Sequence, residues 1–155
     1  MKKFLDSETF SHIVESTPLI SIDLIIKDSE GGVLLGKRVN KPAKDYWFVP
    51  GGRIYKNETI EDAFSRIFNT ETGHEFLIDD ANFLGVYEHF YQNSVYSENI
   101  STHYIVLGYE INYDFLIDNL PKTQHNLYKI APVNVLLQDA QVHSNVKLYF
   151  KEKNV

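Results

Sequence analysis

Between residues 52 and 73 the chain reads GRIYKNETIEDAFSRIFNTETG. Gly52 opens the segment, Glu58 follows after five residues, Arg66 after seven more, and Glu71 and Gly73 close it. A polar loop thus runs into a helical pattern whose far end carries an acid. Glu71 lies four residues after Ile67 and three after Phe68, so it falls on the apolar stripe of that helix and not on its wet face. An inward carboxylate is costly unless a cation or hydrogen-bond donors meet it. Two partners fit: an arginine, with Arg53 and Arg66 at hand, or a hard divalent cation bound through oxygen. Asp23, inside the apolar run LISIDLII, is a second inward acid. Read from position alone, it is a hydrogen-bonded core acid facing a helix N-terminus. By residue type alone, Gln124 reads as a polar loop residue and His125 as a solvated imidazole beside it. His89 and Tyr104 read as core aromatic packing.

The elements that must position these groups show as patterns. Residues 7–15 read as a short helix, with Ser7 as N-cap and Phe10, Ile13 and Val14 on one side. Residues 19–26 are almost wholly apolar and β-branched, which predicts a buried strand. The turn DSEGG at 28–32 and the residues 33–35 complete a hairpin. A short strand over 46–49 stops at Pro50-Gly51-Gly52. From 59 to 72 the period becomes helical, with Ile60, Phe64, Ile67 and Phe68 on one face, Thr59 and Asp62 as a capping box and Gly73 as the stop. Longer strands are expected over 83–91 and 103–111, a helix over 133–138 and a terminal helix over 146–153. Strands and helices alternate irregularly. That predicts an α+β fold, a mixed sheet with helices on both faces, in a single domain over residues 1–155.

Composition excludes several classes. The 155 residues contain no cysteine, which removes disulfide scaffolds, cysteine zinc sites and thiol nucleophiles. A net charge of −6 argues against non-specific binding to nucleic acid or an anionic membrane, though not against one phosphorylated ligand held by local arginines. No apolar run approaches the roughly 20 residues of a membrane helix. Asp6 and Glu8 interrupt any secretory apolar stretch, so the cytoplasm is the expected compartment.

The positions Gly52, Glu58, Arg66, Glu71 and Gly73 resemble the Nudix hydrolase box, G-x5-E-x7-R-E-U-x-E-E-x-G-U, where U is a bulky apolar residue. Ile67, Thr70 and His74 depart from it, so two carboxylates of the ordinary box are missing. The reduced box and its flanks resemble the GDP-mannose mannosyl hydrolase branch of that family. Those flanks are STPLISIDLI at 16–25, LLGKR at 34–38, YWFVPGGRI at 46–54, His89-Phe90-Tyr91, THYIVLG at 102–108 and Gln124-His125.

The resemblance implies a Nudix-type α/β/α sandwich with a mixed sheet. It implies Mg²⁺-dependent hydrolysis of GDP-mannose, with GDP-glucose as a further substrate, through attack of water at the anomeric carbon with inversion. The products are GDP and free sugar. One Mg²⁺ per subunit, replaceable by Mn²⁺, is held by the carbonyl of Gly51, by Glu71 and by the amide oxygen of Gln124. His125 is the general base. Arg38 and Arg53 hold the diphosphate and stabilise the departing GDP. Asp23, His89 and Tyr104 bind substrate, and Phe10 stacks on guanine. Gly52, Glu58, Arg66 and Gly73 shape the box, Arg66 by pairing with a carboxylate or carbonyl. The active unit is a homodimer. A nucleoside diphosphate leaves readily, so displacement at carbon needs neither several metals nor a protonating acid. One alternative is ordinary Nudix cleavage at phosphorus, giving GMP and a sugar 1-phosphate; the absent Glu at 67 and 70 counts against it. A catalytically silent nucleotide-sugar sensor is another, and an intact Glu71, Gln124 and His125 argue against that.

Overall fold

The computed structural model describes residues 4–114 and 117–151. Helix α1 (Ser7–Ser16) leads into strands β1 (Leu19–Lys27) and β2 (Val33–Arg38). Short strands β3 (Trp47–Phe48) and β4 (Gly51–Arg53) precede helix α2 (Ile60–Thr72). Strands β5 (Asn82–Tyr91), β6 (Thr102–Asn112) and β7 (His125–Ala131) follow. Helices α3 (Val133–Leu136) and α4 (Ser144–Lys147) and a 3-10 turn (Leu148–Phe150) complete the chain as described.

The sheet runs β3-β2-β1-β6-β5, with β4 paired to β1 and β7 to β2. The central pair β1–β6 is parallel, from Leu19 opposite Tyr104 to Lys27 opposite Asn112, and the other pairs are antiparallel. A parallel central strand is covered on both faces, which is why LISIDLII reads as a continuous apolar run. Its alternate side chains enter two cores. Ile22, Leu24 and Ile26 pack with Phe64, Ile67 and Phe68 of α2. Ile25 packs with Val33, Leu35, Leu136, Val146 and Tyr149 on the opposite face. Helices therefore cover both faces, the α/β/α arrangement expected.

Several details differ from the sequence reading. Asp6, not Ser7, caps α1: its carboxylate accepts from the Thr9 amide at 2.9 Å, and Ser7 is already helical. Strand β2 runs past Leu35 to Arg38, because β7 pairs along it. Neither β4 nor β7 was expected. The Gly-Gly of β4 has no strand propensity of its own and is held extended by pairing with β1. In β7, HNLYKIA mixes polar and apolar residues without the alternation of a half-buried strand. Helix α3 is a single turn, shorter than 133–138. The expected helix over 146–153 instead begins at Ser144, tightens to a 3-10 turn at Leu148 and is extended at Lys151. Residues 152 and 153 of that expectation lie outside the described residues. Helix α2 follows its pattern: Thr59 Oγ1 accepts from the Asp62 amide at 3.0 Å, and Gly73 ends the helix at φ 76°.

Candidate active site

Strand β1 and its partner β4 place the loop of the box against α2. Glu58 ties that loop down. Its Oε1 accepts from Arg66 Nε at 2.6 Å, and its Oε2 accepts from Arg66 Nη2 at 3.0 Å and from the Tyr55 amide at 2.9 Å. Arg66 Nη2 also donates to the Arg53 carbonyl at 2.8 Å. The Arg66 guanidinium is thus spent on loop and helix, and Arg53 stacks on Phe10 with its guanidinium carbon 4.6 Å from the ring centre. Neither arginine forms an ion pair with Glu71 among the described residues.

A cavity of about 460 Å³ opens over this frame. Asp23, Arg38, Gly51, Arg53, Glu71, His89, Tyr104, Gln124 and Phe10 line it, together with Gly52 and Arg66 of the box. Ile67 and Thr70, which stand where the ordinary box has acids, line it too. Glu58, Gly73 and His125 are off its wall.

Two buried carboxylates dominate its electrostatics. Burial pushes Glu71 up to about 7, the negative charge of Asp23 adds to the rise, and Arg38 opposes it. Burial likewise pushes Asp23 up to about 7, against a hydrogen bond from Tyr149 and the charge of Arg38. Asp23 meets a phenol and not a helix N-terminus: Tyr149 Oη donates to its Oδ2 at 2.5 Å. Gly51 lies opposite Asp23 in the β1–β4 register, and a Cβ there would fall 2.4 Å from Asp23 Oδ1. Only glycine lets β4 pass so close.

His125 is not the solvated loop residue its surroundings suggest. It begins β7 opposite Arg38 and is 2% exposed, packed against Gly36 so closely that a Cβ on that glycine would lie 2.5 Å from its ring. Its Nδ1 is 3.7 Å from Glu71 Oε2, and neither ring nitrogen has a hydrogen-bond partner among the described residues. Burial, with Arg38 adding, lowers its pKa to about 4, so the ring is neutral at neutral pH. His89 on β5 is also neutral, lowered to about 4 by burial and by His143. Sequence reasoning missed Tyr149. It lies in the segment that reads as a terminal helix, and an aromatic there carries no mark separating it from the core.

Gly51, Glu71 and Gln124 all line the cavity, and a backbone carbonyl, a carboxylate and a side-chain amide are oxygen donors of the kind a hard divalent cation takes. Among the described residues no cluster of three or more His, Cys, Asp or Glu could hold a metal, so such a cation depends on backbone and amide oxygens and on its ligand.

The NUDIX domain model matches residues 17–149. The chain belongs to the NUDIX family. It is 42% identical over 127 residues to the low-salt glycan biosynthesis protein Agl8 of Haloferax volcanii, covering 81% of this chain and 78% of that one. Among solved structures, the MutT protein from Methanosarcina mazei Go1 superposes with a TM-score of 0.69 at 17% identity, covering 87% of this chain and 92% of that one. The NUDIX domain of Shewanella oneidensis NrtR, complexed with ADP ribose, gives 0.63 at 16%, covering 95% and 96%. At these identities the two structures show the fold. Family membership makes 52–73 the Nudix box and supports hydrolase chemistry, which in Nudix hydrolases generally uses a divalent metal such as Mg²⁺. Among the described residues no helix is long and apolar enough to cross a membrane.

Proposed function

We propose that this Nudix hydrolase cleaves GDP-mannose, and GDP-glucose as a related substrate, at the anomeric carbon, releasing GDP and the free sugar with inversion. One observation carries the reading. The cavity presents arginines for a diphosphate, yet of the paired acids of the ordinary box it retains Glu71 alone, with Ile67 and Thr70 on the wall in place of the others. A box so reduced suits displacement at carbon better than attack at phosphorus. Similarity to a protein of glycan biosynthesis agrees with a nucleotide-sugar substrate.

In this reading Arg38 and Arg53 grip the diphosphate and take up charge on the departing oxygen. Phe10 stacks on guanine, while Asp23, His89 and Tyr104 hold the sugar. Gly51 carbonyl, Glu71 and Gln124 hold Mg²⁺, or Mn²⁺ in its place. When bound, the ion supplies positive charge to the diphosphate. A water oxygen bonds to the anomeric carbon as the bond from that carbon to the bridging oxygen breaks; the electron pair leaves with GDP. His125 takes the proton of the water, as a neutral imidazole must for that work. In the described arrangement its ring is buried off the cavity wall, with Nδ1 3.7 Å from Glu71 Oε2. The active unit is a cytoplasmic homodimer of single-domain chains.

Incubation with GDP-α-mannose and Mg²⁺ in ¹⁸O-labelled water tests the reading. GDP with label in mannose is expected. GMP and mannose 1-phosphate, with label on phosphate, would return the protein to ordinary Nudix cleavage. Binding without any product would make it a sensor.

A further inference from the structure

Three buried polar side chains from distant parts of the chain meet at one wall of the cavity. Asp23 comes from β1, His89 from β5 and Tyr149 from the 3-10 turn near the C-terminal end of the described chain; they are 6%, 2% and 8% exposed. Tyr149 Oη donates to Asp23 Oδ2 at 2.5 Å and lies 3.4 Å from His89 Nε2. Asp23 and His89 line the cavity; Tyr149 does not. Its ring is wedged in place, edge-on to Tyr87 at 4.6 Å and against Gly108, where a Cβ would lie 3.1 Å from it.

A phenol has one proton to give. Once that proton goes to Asp23, the phenol oxygen is left only as an acceptor, so the His89 nitrogen facing it must carry hydrogen. We propose that Tyr149 is a positioning residue of the site: its hydroxyl holds Asp23 as an acceptor and sets His89 in the Nε2–H tautomer. This wall then offers a carboxylate oxygen and an imidazole Nδ1 as acceptors, which suits the hydroxyl groups of a sugar. Burial and the charge of Asp23 hold the Tyr149 pKa well above 10, so the phenol keeps its proton. A wall that can only accept discriminates by hydrogen bonding against ligands lacking the matching hydroxyl, because its buried acceptors would go unmet.

The choice of a sugar as ligand rests on the proposed function; the tautomer does not. The ¹⁵N spectrum of the His89 ring, taken on the metal-free protein near pH 8, separates the two. The native protein is expected to show Nε2–H, and Tyr149→Phe a mixture of tautomers. Where Tyr149→Phe does not fold, Asp23→Leu serves: it frees the phenol proton for His89, and the ring should switch to Nδ1–H. A ring that keeps Nε2–H in a folded variant overturns the proposal. In turnover, Tyr149→Phe should raise KM for GDP-mannose about tenfold, the effect of one lost hydrogen bond, while inhibition by GDP stays within about twofold. An equal weakening of both would reduce Tyr149 to a structural residue. If GDP-mannose is not turned over at all, the functional reading fails and the His89 spectra still decide the positioning role.

Discussion

Glu71 sits in the apolar stripe of α2, and the arginines that sequence offered it are engaged elsewhere: Arg66 on Glu58, Arg53 on Phe10. Its near ionic neighbour is His125, a ring that burial keeps neutral. A carboxylate in that position gains most from a cation. Glu71→Gln keeps the shape and removes the charge, so Mg²⁺ affinity measured by calorimetry and turnover should fall together; unchanged affinity would move the metal elsewhere. His125→Gln separates base from scaffold. Losing a general base typically costs about 10²–10⁴-fold in rate, so kcat should fall by that range while KM shifts little. An unchanged kcat would leave His125 as packing beneath Glu71.

The elements that sequence made legible are those whose own residues specify them. LISIDLII had to be a covered strand, and the stripe Phe64, Ile67, Phe68 had to be a buried helix face. What stayed illegible depends on partners. Strand β4 is extended because β1 holds it, β7 because β2 does, and the C-terminal helix breaks where Tyr149 turns in beneath Asp23. The same distinction holds at the site. Spacing pointed to Glu71 and Asp23 as inward acids, while no local signal could show that Tyr149 meets Asp23 across 126 positions of sequence. The pairing of Arg66 with Glu58 closes the loop between β4 and α2, with the Glu58 side chain 5% exposed. Arg66→Ala takes the guanidinium from that carboxylate and one donor from the Arg53 carbonyl. Stability should drop by about 2–3 kcal/mol, in line with hydrogen bonds to buried charged groups. Urea denaturation measures it, and a loss below about 0.5 kcal/mol would make the pair a surface bridge in effect.

At the scale of the whole molecule, the buried ionisable groups oppose one another in their response to pH. His89 and His125 titrate near 4 when folded against 6.5 in their ordinary state. Their contribution is complete above pH 6.5 and is lost as pH falls toward 4, because the unfolded chain binds protons that the fold refuses. Asp23 and Glu71 titrate near 7 when folded against ordinary values of 3.8 and 4.5. Their contribution is complete below those ordinary values and is lost as pH rises through 7. Two imidazoles and two carboxyls thus pull with opposite sign across nearly the same window, and the metal-free protein should show a nearly flat stability from these groups between pH 4.5 and 6.5. Single substitutions uncover the slopes. Metal-free Glu71→Gln should gain stability with rising pH over that window relative to the native protein, and His89→Gln should lose it, each by about 1.4 kcal/mol per pH unit for one proton. Denaturation midpoints at a series of pH values read both, and parallel curves for the three proteins would mean that these groups are not buried in the charged balance described. Saturating Mg²⁺ should remove the Glu71 limb in the native protein and leave that of His89 in place, since the cation favours the ionised carboxylate and His89 is not among the groups proposed to hold it.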